Sequence, residues 1–305
     1  MRELVVLSGK GGTGKTSICA SLAVLTANKV LADCDVDAAN LHLVLEETKL
    51  NTSSPFYGLP KARIEETRCL ACGLCAHLCR FNAVRGTRIS STDCEGCAVC
   101  YHACPVGAIE LPPRQAGEIY FSQTKYGPLV HAALGVAEDN SGKLVTAVRQ
   151  QARRIAEAEN RELIITDGPP GTGCPVISCL SGADLVLIVT EPTRSGLHDL
   201  ERVLELAAFF QVKAAVCTNK WDLNPEITEK IEALCRQHNV SFTCRLPYDP
   251  QVAEAVCNAR PAVQYCSGET VEGIVSLWDG LRTLLENKTA PDNRPPEQEG
   301  ENACL

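Results

Sequence analysis

Aromatic side chains are scarce in this chain: 2 Trp, 6 Tyr and 6 Phe make up 5% of 305 residues. Base is not in excess either, since 29 Lys and Arg face 37 Asp and Glu, for a net charge of −8. Few aromatics mean few platforms for stacking bases. An acidic balance lacks the cations that neutralise phosphate backbones. Nucleic acid is therefore not an expected partner. Long hydrophobic runs are missing as well. None approaches the roughly 20 apolar residues of a membrane helix, and Leu4–Leu7 is too short for a secretory core. The expectation is a cytoplasmic protein without membrane attachment. What the sequence has in excess is cysteine, 18 residues in all. In a chain without an export signal, that abundance points to metal binding or redox chemistry and not to disulfides.

Short apolar runs alternate with helical patterns. Strands are predicted at Leu4–Ser8, Lys29–Asp33, Leu163–Thr166, Leu185–Thr190 and Ala214–Thr218, with an edge strand at Ser241–Leu246. Helices are predicted at Thr16–Asn28, Pro175–Leu180, Leu197–Phe210, Glu226–His238 and Val271–Asn287. Alternation of this kind predicts an α/β fold, a mostly parallel sheet with helices on both faces. Residues 59–112 break the pattern and form a predicted insertion, so the main domain comprises 1–58 and 113–287. The segment 288–305 is rich in Pro, Glu and Asn and is predicted to be a disordered tail.

The segment Gly9-Lys10-Gly11-Gly12-Thr13-Gly14-Lys15-Thr16 fits G-x-x-x-x-G-K-[ST], directly after one predicted strand and opening a helix. Glycines let the backbone N–H groups converge on phosphates, Lys15 reaches the β and γ phosphates, and the Thr16 hydroxyl ligates Mg²⁺. Gly9, Gly11, Gly12, Thr13, Gly14, Lys15, Thr16 and Ser17 are the candidate phosphate-binding residues. Two acidic segments follow strands, Asp33-Cys34-Asp35-Val36-Asp37 and Asp167-Gly168-Pro169-Pro170-Gly171. The carboxyl ends of strands are where ligands bind in such sheets.

Eight cysteines of the insertion fall in two runs, Cys69, Cys72, Cys75, Cys79 and Cys94, Cys97, Cys100, Cys104. Each reads C-x₂-C-x₂-C-x₃-C, and the runs match at every cysteine and at His77 and His102, which marks an internal duplication. This is the spacing that wraps a [4Fe–4S] cube with three close cysteines and takes the fourth ligand from the other run. One cluster is then assigned to Cys69, Cys72, Cys75 and Cys104, the other to Cys94, Cys97, Cys100 and Cys79. Two zinc knuckles would not need the third and fourth cysteine of each repeat. Pro105 follows Cys104 as the pattern expects, whereas Arg80 follows Cys79.

With Lys10 in its phosphate loop, the chain resembles the deviant Walker A family of MinD and ParA ATPases, Mrp-type carriers and the nitrogenase iron protein. From Leu4 to about Leu285 it resembles MinD-superfamily ATPases with an inserted ferredoxin domain. That resemblance implies ATP as substrate and a slow, partner-stimulated hydrolysis. It implies that Lys10 reaches the partner's nucleotide across a dimer interface. Asp35, with Asp37 as alternate, would orient the attacking water, and Asp167 and Asp35 would join Thr16 around Mg²⁺. Asn219 would contact adenine, and Pro247 and Asp249 would form a second base-contacting loop. The implied assembly is a homodimer, or a heterodimer with a paralogue, serving a redox or metal-cluster partner protein. Cys174, just past the second acidic segment, matches in place a cluster-ligating cysteine of the iron protein. It is a candidate interface thiol, with Cys34 or Cys179 as companions. Three roles remain open: ATP-gated electron transfer, assembly or delivery of a metal cluster, and MinD-like positioning with a redox-sensing ferredoxin.

Overall fold

A computed structural model of the chain describes residues 1–135 and 141–287, so the predicted tail from Lys288 lies outside the described residues. In chain order the first elements are β1 (Arg2–Ser8), α1 (Lys15–Leu25), β2 (Lys29–Asp33), α2 (Leu41–Val44) and β3 (Glu47–Tyr57). The Cys-rich segment holds β4 (Arg63–Ile64), α3 (Leu74–Leu78), β5 (Val84–Arg85), β6 (Arg88–Ile89), α4 (Val99–Ala103) and β7 (Ile109–Glu110). The chain then returns through β8 (Gln115–Thr124), β9 (Gly127–Leu134), α5 (Ser141–Ala158), β10 (Leu163–Pro170) and α6 (Cys174–Leu180). It closes with β11 (Leu185–Thr190), α7 (Arg194–Phe209), β12 (Lys213–Asn219), α8 (Pro225–Gln237), β13 (Phe242–Leu246), α9 (Pro250–Cys257), α10 (Ala262–Tyr265) and α11 (Glu269–Glu286).

Nine strands form one sheet in the order β13-β12-β11-β1-β10-β2-β9-β8-β3. From β13 to β9 neighbours run parallel, and β8 pairs antiparallel with both β9 and β3. Successive side chains of a strand point to opposite faces, and β1 shows it: Val5 and Leu7 join the core under α5, α6, α7 and α8, whereas Leu4 and Val6 join the core under α1 and α11. Both faces of the central strands are thus dry, which is why β1, β2 and β11 read as continuous apolar runs.

The antiparallel edge corrects the sequence reading, which assigned no strand at β3, β8 or β9. The Cys-rich segment lies between β3 and β8, and β8, β9 and α5 follow it before the strand of the second acidic segment. It grows from the open end of the β3–β8 ladder, where Tyr57 faces Gln115. Gly117 pairs with Leu134, beyond the level at which Asp33 pairs with His131. The segment therefore leaves the sheet at the same end as the acidic segments, three strand spacings from β2, or roughly 15 Å at ~4.8 Å each. It has a core of its own, built from Ala62, Ile64, Ala83, Val84, Cys94 and Ile109.

Candidate functional site

The loop between β1 and α1 borders a pocket shared by Ser8, residues 11–17, Asp35, Asp37, Ala38, Asn40, Pro169, Pro170 and Pro175. Gly14 begins α1 in the left-handed region, at φ 86°, and a Cβ there would stand 2.5 Å from Asn219 Nδ2. Only glycine meets both demands. Behind the loop, Asn219 is buried and donates to the Thr13 carbonyl at 2.9 Å. The Thr13 hydroxyl is itself buried without a hydrogen-bond partner among the described residues. A buried hydroxyl of this kind needs a partner, and a phosphate oxygen in the pocket would supply one. Gly9 does not border the pocket; its α-carbon packs against Asp199 of α7.

At the centre of the site a cation meets three carboxylates. Lys15 Nζ lies 2.7 Å from Asp167 Oδ1 and 3.7 Å from Asp35 Oδ2, and the Thr16 hydroxyl donates to Asp167 Oδ2 at 2.7 Å. Burial alone would pull the Lys15 ammonium down, but Asp167, Asp35 and Asp33 outweigh it and hold its pKa above the ordinary lysine value. Asp33 is fully buried. One of its oxygens accepts the Asp35 N–H at 3.1 Å, the other accepts Asn40 and Leu41, each at 3.0 Å. Burial, then the neighbouring Asp167, raises the Asp33 carboxyl to about 7. Burial likewise raises Asp35, against the pull of Lys15. Asp33 is thus the knot that ties the first acidic turn and the start of α2 to β2. Asp167, Thr16 and Asp35 present the hard oxygen donors that Mg²⁺ takes beside a phosphate chain.

Lys10 stands at the rim, where its ammonium donates to Thr193 Oγ1 at 3.3 Å and pairs with Glu191 at 3.7 Å. Glu191 also holds Lys220 at 2.5 Å. This bridge was not read from the sequence. Pro247 and Asp249 do not border the phosphate pocket. Asp249 caps α9 by accepting from Gln251 N at 2.9 Å and takes the Thr270 hydroxyl at 2.7 Å, while Asp222 accepts the Tyr248 N–H at 2.6 Å.

Two further pockets lie in the Cys-rich segment. Cys69, Cys72, Cys75 and Cys104 line one; Cys79, Cys94, Cys97 and Cys100 line the other. The three close cysteines of each run thus meet the fourth of the other. Backbone geometry repeats with the sequence: Ala71 and Gly96, Gly73 and Ala98, and Asn82 and Gly107 all have positive φ, and α3 and α4 follow at equivalent places. Amide groups turn towards sulfur, Ala71 N to Cys69 Sγ at 3.4 Å and Ala108 N to Cys104 Sγ at 3.2 Å. Backbone donors around Cys104, Ala108 first, lower its thiol pKa. Among the described residues no three Cys, His, Asp or Glu side chains converge on one metal ion. Thiolates are the soft donors that an iron–sulfur cube takes.

Cys174 is not brought together with its candidate companions: it is exposed at the start of α6, whereas Cys34 and Cys179 are fully buried in the core, where burial and the neighbouring Cys179 push the Cys34 thiol up. No helix among the described residues is long and apolar enough to cross a membrane.

Comparison with known proteins agrees with this geometry. The chain is 37% identical over 294 residues to the uncharacterized protein MJ0578 of Methanocaldococcus jannaschii, covering 93% of this chain and 97% of that one. A second protein of that organism, MJ0579, is 26% identical over 270 residues, covering 87% and 93% of the two chains. The fold is similar to septum site-determining MinD of Pyrococcus horikoshii, solved with Mg-ADP, at a TM-score of 0.58, 19% identity and 93% and 97% coverage. Residues 4–262 match the model of the CobQ/CobB/MinD/ParA nucleotide binding domain, and that match spans the loop, both acidic segments and Asn219: the chain belongs to the MinD/ParA-type P-loop family.

Proposed function

We propose that the chain binds and hydrolyses ATP and couples its nucleotide state to electron transfer from two [4Fe–4S] clusters to a partner metalloprotein. One observation carries the proposal: two separate pockets, each lined by three cysteines of one run and the fourth of the other. Two such clusters, when bound, supply one-electron storage at low potential. The positioning role known from MinD needs no cysteines, and cluster delivery would favour a labile extra site, for which Cys34 and Cys179 are too deeply buried.

The chain's own residues carry the nucleotide chemistry. Lys15, paired with Asp167, is the cation that would meet the β and γ phosphates. Asp167 and the Thr16 hydroxyl would hold Mg²⁺, which would supply charge to the phosphates. Asp35 borders the pocket and orients the attacking water, with Asp37 beside it. Lys10 supplies a cation to the nucleotide of a second subunit, after leaving Glu191. ATP is favoured over GTP, because the Asp222 carboxylate that would read guanine already holds the Tyr248 amide. The partner subunit is a second copy or a paralogue; two relatives in one organism support the paralogue.

The test is direct. Anaerobically purified protein should hold about eight irons and eight sulfides per chain and should hydrolyse ATP faster when its partner is present. Colourless protein with two zinc ions per chain would remove the electron-transfer role and leave an ATPase with zinc knuckles.

A further inference from the structure

Four residues cross the sheet edge on one level: Asp33 of β2 pairs with His131 of β9, His131 with Tyr120 of β8, and Tyr120 with Ser53 of β3. Paired residues of neighbouring strands project to the same face. On that face the Asp33 carboxylate holds the amides of Asn40 and Leu41, which open α2. The next residue, His42, lies flat on His131 with ring centroids 4.7 Å apart and planes 11° from parallel. His131 stacks in turn on Tyr120, at 5.0 Å and 27°. The Tyr120 hydroxyl donates to Glu118 at 2.8 Å, one step nearer the Cys-rich segment. A continuous line of contacts thus runs from the carboxylate that shapes the phosphate site to the strands that carry the cysteines.

The two ends of the stack are held differently. Ser122 Oγ lies 3.2 Å from His131 Nε2 and anchors that ring within the sheet. His42 Nδ1 is buried with no hydrogen-bond partner among the described residues, and the ring is seated on His131 by stacking. A stacked ring slides when its helix shifts, and α2 is a single turn hung from Asp33.

We propose that His42 is a positioning residue that relays the nucleotide state of the Asp33–Asp35 turn, through His131 and Tyr120, to β8 and β3 at the base of the Cys-rich segment. The proposal rests on the coupled-ATPase reading above. When phosphates draw Lys15 from Asp35, the turn around Asp33 re-forms, α2 moves, and His42 shifts its pressure on His131. Plain packing is the competing account; it requires a filled space but no response to nucleotide.

The experiment compares the anaerobic holoprotein, unaltered and as His42→Ala and His42→Phe, with ADP and with a non-hydrolysable ATP analogue. It reads amide exchange at Phe56, Tyr57 and Gln115–Gly117, and the cluster midpoint potentials. In the unaltered chain the analogue should change both. A tenfold difference in analogue affinity between redox states corresponds to about 59 mV. His42→Ala should bind the analogue as tightly but lose both responses, and His42→Phe, which keeps a flat ring, should regain them. Full responses in His42→Ala would overturn the role of His42 and leave the coupled ATPase standing. No response in the unaltered chain would overturn the coupling itself, and the relay with it. If His42→Ala does not fold, Tyr120→Leu interrupts the same stack from the other end, and the same two outcomes decide.

Discussion

Lys15 is expected to be a structural residue as well as a phosphate ligand, and Lys15→Met separates the two roles. A lysine that only binds nucleotide could be removed from the empty protein at little cost. In this structure its ammonium is buried among Asp167, Asp35 and Asp33, the nearest at 2.7 Å. Methionine leaves Asp167, which is 0% exposed, with the Thr16 hydroxyl as its remaining partner. Breaking a buried ion pair from one side costs about 3–5 kcal/mol. At about 2–4 °C per kcal/mol, the nucleotide-free ATPase domain should melt roughly 6–20 °C lower. The defect should also depend on pH. Burial and Asp167 already raise the Asp33 carboxyl to about 7 from 3.8. An acid raised in the folded state binds more protons folded than unfolded. Its contribution therefore weakens stability as pH rises from about 4 through 7. Without Lys15, which opposes that rise, the window extends upward. Lys15→Met should be nearly as stable as the unaltered chain at pH 5 and far less stable at pH 8, and Asp167→Asn in the same chain should remove most of the difference. Calorimetry of the three proteins at both pH values tests this. An unchanged melting temperature at pH 8, or a deficit of equal size at pH 5, would refute the argument.

Gly14→Ala should abolish nucleotide binding and destabilise the loop by about 1–3 kcal/mol, a figure typical of a residue forced into a sparsely populated conformation; titration with a fluorescent ADP and a melting curve measure the two effects. Cys69→Ser should lower the iron content from about eight to about four per chain and remove one cluster's paramagnetic signal, while Cys79→Ser should remove the other's; loss of the same signal in both variants would contradict the crossed pockets. Lys10→Ala should keep ATP affinity but fail to dimerise with ATP, as read by sedimentation, because its proposed target is the nucleotide of a second subunit.

How much of this was legible follows from where each signal resides. The phosphate loop and the central strands are written locally. Strands buried on both faces must be apolar throughout, and a loop that wraps phosphate must be rich in glycine. The crossing of the cysteine sets was expected for a different reason: the spacing pattern itself gives the fourth cysteine of each run to the other, and the duplication repeats that pattern. The edge was not legible. Along Glu47–Tyr57 the sequence ETKLNTSSPFY shows neither alternation nor an apolar run, because much of this edge strand is solvated and its pairing comes from β8, far away in sequence. The helix α5 was missed although its signal exists: Leu144, Val145, Val148, Ala152 and Ile155 form a stripe at helical spacing. At the rim residue type and local role separate: Asp249, which the family resemblance puts in a base-contacting loop, has its carboxylate on the start of α9 and on the Thr270 hydroxyl, a role that nothing in the sequence announces.

The position of the insertion has its own logic. A segment placed within the central strands would have to break ladders that are dry on both faces, and each buried amide left unpaired costs about 1–3 kcal/mol. At the tip of β3 and β8 the chain can leave the sheet and return with no buried ladder interrupted, since Gly58 N still bonds the Arg114 carbonyl at 3.2 Å across the exit. The same tip is the edge nearer to the first acidic turn, because β3 lies three spacings from β2 whereas β13, the other edge, lies five. An insertion there is cheap for stability and close to that turn. Those two facts are independent of any function of the cysteines. The function adds a third requirement, that movement at Asp33 be felt at Tyr57 and Gln115. The stacked rings of His42, His131 and Tyr120 are the part of the structure that meets it, which is why altering His42 should separate nucleotide binding from any response at the clusters.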